Sequence, residues 1–397
     1  MSTLTKPSPL STDKIWTRDF VLICVANFFI FLGFQMTLPT IPLFVTHLGG
    51  SERLIGVVVG IFTFSALLLR PLAGKLLESK GRRFVFLVGL IIYVISVGSF
   101  GFMGSMVFLF AMRIVQGAGW GFSSTASGTI ATDLIPAKRR GEGMGYYSLS
   151  GNLALAMGPS LGLLLVGAVS FKVLFLISAG LGLAAFLIAT TLRYTEVEKG
   201  AVKTTTIKFD FYEKTALPPS ILLLFITVTF GGIATFLPLY AAQKGVSGIQ
   251  WYFLIYALSL MSTRLFAGKL YDKHGHKFVF IPSVFLMIIA MLLLAWLPSN
   301  TVLYIAAICY GFGFGSVSPA LQAWSMEKAA RNRKGMANAT FFSFFDLGVG
   351  IGAIVFGQIA YMYGYASIYW TAAGSVFLSL LFYLYILTKE HKQGSAH

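Results

Sequence analysis

Two charged side chains stand where the chain is otherwise apolar. Asp346 follows Phe341-Phe-Ser-Phe-Phe345 and is the only one of the 14 acidic residues deep inside an apolar run. It lies 11 residues after Gly335, which at helical rise is about 16 Å. A carboxyl at that depth is desolvated. That setting suits a group that takes up and releases a proton, or one that binds a cationic substrate; a salt-bridged structural aspartate is the plain alternative. Arg113 lies in the run Arg113-Ile-Val-Gln-Gly117-Ala-Gly119. An arginine there is a functional candidate by default, unless its long stem lets the guanidinium snorkel to the headgroups.

The elements that position them follow from composition. Of 397 residues, 56% are hydrophobic and 11% charged, against about 25% charged in a soluble domain. Twelve apolar runs can be drawn: Phe20–Val45, Ile55–Leu77, Phe84–Phe102, Met106–Ile130, Gly143–Val166, Val173–Leu192, Pro218–Ala241, Ile249–Leu270, Phe278–Leu297, Val302–Met326, Met336–Met362 and Ser367–Leu387. Each is near or above the roughly 20 residues that cross a bilayer as helix. Backbone groups in lipid must be satisfied within the segment, so the reading is an all-α polytopic membrane protein of twelve transmembrane helices.

The net charge of +16 reports topology. With the N-terminus placed inside, 24 of the 30 Lys and Arg residues fall in inner segments, 3 in outer segments and 3 within spans or at their ends. This asymmetry puts both termini in the cytoplasm and argues against a nucleic-acid partner. The five histidines lie in loops or the tail, and Cys24 and Cys309 lie in apolar runs, so neither a metal site nor an enzyme centre is expected.

The chain repeats itself. Arg70 to Phe86 returns at Arg264 to Phe280, 194 positions on, with 9 of 17 residues identical. At the same offset Gly117, Gly119 and Gly121 match Gly311, Gly313 and Gly315, Asp133 matches Glu327, and Asn152 matches Asp346. An internal duplication of this length predicts two pseudo-symmetric six-helix bundles, residues 1–191 and 218–397, joined by a polar cytoplasmic linker at 192–217.

On these residues the chain resembles the major facilitator superfamily. Gly74-Lys-Leu-Leu-Glu78-Ser-Lys-Gly81-Arg82-Arg83 is similar to that family's signature between spans 2 and 3, and Gly268, Asp272 and Lys277 belong to its second copy. The resemblance implies a cytoplasmic gate in which Arg82 or Arg83 reaches Asp133 and the charge cluster latches the outward-facing state. The bland alternative is simple anchoring of the loop. Arg113 and the glycine after it resemble the span-4 motif associated with proton coupling, and Gly158-Pro159-Ser-Leu-Gly162 resembles, in degraded form, the span-5 motif of proton-linked exporters. Asn27, Gln35, Gln116, Asn152, Phe344 and Phe345 are candidates to line a cavity between the bundles, with Asn152 facing Asp346.

Together these imply a monomeric, bacterial plasma-membrane transporter that uses a proton gradient and no cofactor. Its expected activity is efflux of small amphipathic compounds or metabolites by antiport with protons. The other transport reading is an uptake symporter or facilitator of a small polar solute.

Overall fold

The computed structural model describes residues 14–102, 104–136, 139–194, 212–327, 329 and 334–394. Twelve long helices follow one another: α1 (Arg18–His47), α2 (Glu52–Ser79), α3 (Arg82–Ser99), α4 (Met106–Leu134), α5 (Arg140–Ala168), α6 (Phe171–Thr190), α7 (Leu217–Gln243), α8 (Ile249–His274), α9 (His276–Trp296), α10 (Asn300–Glu327), α11 (Lys334–Tyr363) and α12 (Tyr365–Gly394). Eleven of them are long and apolar enough to span a membrane. Most of the expected linker, at 195–211, lies outside the described residues. Exposed Leu68, Ile95, Val107 and Phe278 ring the outside with an apolar surface that suits lipid.

Local chemistry sets the helix ends. Thr17 Oγ1 accepts the Phe20 amide at 3.3 Å at the start of α1, and Ser170 Oγ accepts the Val173 amide at 3.4 Å at the start of α6. The two signature loops turn on Gly81 (φ 90°) and Gly275 (φ 76°), one repeat apart. Glycine takes that backbone without strain, so the chain reverses through two residues from α2 into α3 and through one from α8 into α9.

Packing repeats the duplication in space. α1 lies on α5 and α6, α2 on α4, and α3 on α4 and α6; the second set mirrors this with α7 on α11 and α12, α8 on α10, and α9 on α10 and α12. Glycines make the crossings close. A Cβ on Gly119 would sit 2.7 Å from the Tyr93 amide, and one on Gly313 would sit 2.7 Å from the Ser283 carbonyl. A Cβ on Gly117 would come within 2.5 Å of the Phe62 carbonyl, and one on Gly311 within 2.6 Å of the Tyr256 carbonyl. Small residues let helix backbones approach where no hydrophobic drive separates protein from lipid. Two seams join the sets, α2 against α11 and α5 against α8, with α1 touching α7.

Candidate functional site

The α2–α11 seam has a clear direction. At the ends of these helices away from the basic loops, Tyr365 donates its hydroxyl to Glu52 Oε1 at 3.1 Å. Along the seam Gly56 meets Ala353 and Gly357, and a Cβ on Gly350 would stand 3.1 Å from Thr63. The seam reaches Arg70, whose Nη2 lies 3.0 Å from Asp346 Oδ2. One turn further, a Cβ on Gly74 would meet nothing within 4 Å. The contacts seen between the two helices run from Gly56 to Arg70, with the ion pair at the end of that stretch nearest the basic loops.

Arg70 is the residue that sequence reasoning missed. Both partners are half-buried, with side chains 31% and 23% exposed. Their approach is electrostatic, off the direction of a good hydrogen bond, and Arg70 Nε has no acceptor among the described residues. A signal existed: a carboxylate deep in a span needs a partner, and Arg70 was one of three cations assigned to spans or their ends.

Arg113 on α4 does not snorkel; it is 2% exposed. Nε donates to the Val58 carbonyl at 3.1 Å, Nη1 donates to Gln116 Oε1, and the guanidinium lies 4.4 Å from the centre of the Phe62 ring. No carboxylate pairs with it among the described residues. Gln116 is fully buried and its Nε2 has no partner among the described residues.

In the loop signature, Arg82 is the arginine that reaches Asp133, Nε to Oδ2 at 3.0 Å, and its Nη1 donates to the Leu77 carbonyl at 3.2 Å. Glu78 and Arg83 are exposed. The second copy is built differently. Glu327 accepts the Tyr271 hydroxyl at 2.9 Å, and His276, in the place of Arg82, stacks on Trp324 at 4.4 Å and shares a 2.7 Å hydrogen bond with Tyr383. Lys277 is exposed, while the surroundings of Gly268 and the side chain of Asp272 lie outside the described set.

The cavity candidates separate. Asn27 is the hub of a three-helix network: Nδ2 donates to Ser150 Oγ at 2.8 Å, and Oδ1 accepts the Tyr147 hydroxyl at 2.8 Å and Ser127 Oγ at 3.4 Å. Gln35 is buried where α1 crosses Gly158 of α5, and Gly162 meets Met36 on the same line. The Gly158-Pro159-Gly162 stretch thus packs α5 on α1, while Ser160 between them donates to the Gln250 carbonyl of α8 at 2.8 Å. Asn152 and Phe344 are half-buried. Phe345 stands edge-on to Phe314, centroids 6.3 Å apart. Asp346 pairs with Arg70, with α11 packed on α2 and α7 and α5 on α1 and α8. Among the described residues no group of His, Cys, Asp and Glu could hold a metal ion.

Comparison with known proteins agrees with this geometry. The Major Facilitator Superfamily model matches residues 23–329 and 245–396. The chain belongs to the Major Facilitator Superfamily. It is 26% identical over 342 residues to a staphylopine export protein of Staphylococcus aureus, covering 83% of this chain and 86% of that protein. It is 24% identical over 355 residues to the quinolone resistance protein NorA of Staphylococcus aureus, covering 86% and 90%. Among solved structures it is similar to the nucleoside transporter NupG (TM-score 0.71, 17% identity, 93% of this chain and 99% of that one). It is also similar to a bacterial homologue of the human lysosomal transporter Spinster (TM-score 0.74, 16% identity, 92% and 95%). As a Major Facilitator member, the protein is a multi-pass membrane transporter and has the family and fold of transporters, not of enzymes.

Proposed function

We propose that this transporter exports small amphipathic compounds in exchange for protons, with Asp346 as the proton-binding group and Arg70 as its counter-charge. The observation that carries this is the Arg70–Asp346 ion pair on the α2–α11 seam. Either a substrate or a proton on Asp346 releases Arg70 and lets the helices exchange which side is open. Substrate bound from the cytoplasm does so outward, a proton taken up outside replaces it for the return, and release of that proton inside re-forms the pair, which is alternating access by exchange. The excess of Lys and Arg on the loop face orients that face to the cytoplasm of a plasma membrane. The halves 1–191 and 218–397 move as bundles around the linker at 192–217, and one copy of the chain suffices. Gly74, Glu78 and the Arg82–Asp133 pair, already formed in this structure, belong to the cytoplasmic gate. Arg113, buried and without a carboxylate partner among the described residues, supports the coupling from α4. The export reading is supported by the two staphylococcal relatives, one named for export and the other for quinolone resistance.

The experiment is proton-coupled transport in everted vesicles or proteoliposomes, with a panel of amphipathic compounds and an imposed pH gradient. Adding a substrate to acidified everted vesicles should release protons, and Asp346→Asn should abolish that release at unchanged expression. Retained coupling in Asp346→Asn would remove Asp346 from the mechanism, and uptake with co-moving protons would reverse the direction.

A further inference from the structure

At the basic ends of α3 and α4, the chain just after α6 closes a shallow cleft lined by Arg82, Ile130, Asp133, Leu134, Arg193 and Tyr194. Its charges do not balance. Asp133 is the one carboxylate in the lining, and Arg82 Nε already occupies it. Arg193 is exposed and has no hydrogen-bond or ion-pair partner among the described residues. Burial pushes the pKa of the Tyr194 hydroxyl up, and the charge of Arg83 opposes that shift, so a third guanidinium acts on the same place. The remaining wall is apolar: Ile130 is 3% exposed and Leu134 half-buried. The cleft also lies at a defined level, since α3 begins at Arg82 and α6 ends at Thr190. Guanidinium forks above an apolar wall, at the depth where spans end, match a phosphodiester with hydrocarbon attached.

The second repeat serves as an internal control. At the same offset His276 replaces Arg82 and Leu387 replaces Arg193. The His276 ring is stacked on Trp324 and bonded to Tyr383, so aromatic rings take the place of a second guanidinium. Among the described residues, the pair of guanidiniums at these positions is therefore a feature of the first repeat and not a by-product of the signature loop.

We infer that the α3–α4–α6 cleft binds the headgroup of one anionic phospholipid, with its phosphate held by Arg193 and Arg82. The inference is independent of the direction of transport and of Asp346. Its test is native mass spectrometry of the purified full-length chain, incubated with either phosphatidylglycerol or phosphatidylcholine of the same acyl chains. The parent should retain phosphatidylglycerol in preference, and Arg193→Gln should lower that preference about fivefold, the worth of one basic residue at an anionic headgroup. Arg193→Lys should fall between, keeping the charge and losing the fork. Arg193 is exposed, so these variants should elute as the parent does. Equal retention of the two lipids would overturn the inference, as would an undiminished preference in Arg193→Gln or displacement of phosphatidylglycerol by millimolar inorganic phosphate.

Discussion

The Arg70–Asp346 pair predicts how the conformational equilibrium responds when either partner is neutralised. The two approach to 3.0 Å in this structure, which the proposed cycle assigns to the state open on the basic face. Two unit charges about 4 Å apart attract by about 4 kcal/mol at an effective dielectric of 20. Both side chains keep contact with solvent, at 31% and 23% exposure, so screening and the desolvation already incurred reduce the net to about 1–2 kcal/mol. Removing the pair should therefore raise the population closed on the basic face by about 5- to 30-fold. The assay is double electron–electron resonance between spin labels at Ser79 and Met336, both exposed near the basic ends of α2 and α11, after Cys24 and Cys309 are replaced. Asp346→Asn and Arg70→Gln should each shift the distance distribution toward the short component. The double variant should shift it no further than the larger single effect, because both substitutions remove the same interaction. Single effects that add in the double variant would show that the two residues act independently and would refute the pair as the switch.

Further outcomes follow from the same geometry. A Cβ at Gly74 meets nothing within 4 Å, so Gly74→Leu should leave the melting temperature within a degree or two, open-surface changes being worth about 0.5 kcal/mol or less, while abolishing transport by crowding the proposed basic-face-closed state. Gly119→Val should do the reverse: its Cβ would lie 2.7 Å from the Tyr93 amide and 2.9 Å from the Gly89 carbonyl, costing about 1–3 kcal/mol or more of stability by overpacking, read as lower thermal stability and yield in detergent. Arg113→Leu removes the donors to the Val58 carbonyl and Gln116 Oε1; each buried acceptor left bare costs about 1–3 kcal/mol, and Arg113→Lys, which cannot supply both in a fork, should recover stability only in part when thermal unfolding is measured. Asn152→Asp places a second carboxyl at the repeat-equivalent of Asp346; the proton-to-substrate ratio from reversal potentials in proteoliposomes should rise, and an unchanged ratio would count against carboxyls at this level as the coupling groups.

Much of the architecture is readable in the chain because its physical causes are local or repeated. A run such as Phe278–Leu297 needs no tertiary information to declare itself a span, and α9 covers His276–Trp296. Gly81 and Gly275 mark their turns because glycine relieves a positive φ at the same place in each repeat. The pairing of Arg82 with Asp133 is likewise legible, since the signature supplies one partner and the end of α4 the other. Side-chain direction is less accessible. Asn27 reads equally as a cavity wall or as an interhelical hydrogen bonder, and only the placement of Tyr147 and Ser150 on the neighbouring helix assigns it to the network.

The Arg70–Asp346 pair was hidden by the duplication that made the rest plain. Residues 70 and 264 are both arginine, so comparison of the repeats marks the cation as shared and unremarkable. Residues 152 and 346 are Asn and Asp, so it marks the carboxyl as an isolated difference. The connection appears only when the seams are formed, since α2 meets α11 of the other repeat and not its own repeat's α5. Two pseudo-equivalent seams then differ: the α2–α11 seam has a carboxyl opposite its arginine, while the α5–α8 seam carries Asn152 and the Ser160–Gln250 contact. A neutral amide cannot exchange a proton in the physiological range. Of these two seam positions, then, only the carboxyl on α11 can respond to a proton, which makes the proposed coupling a property of one seam in a molecule whose helices are otherwise arranged as two copies.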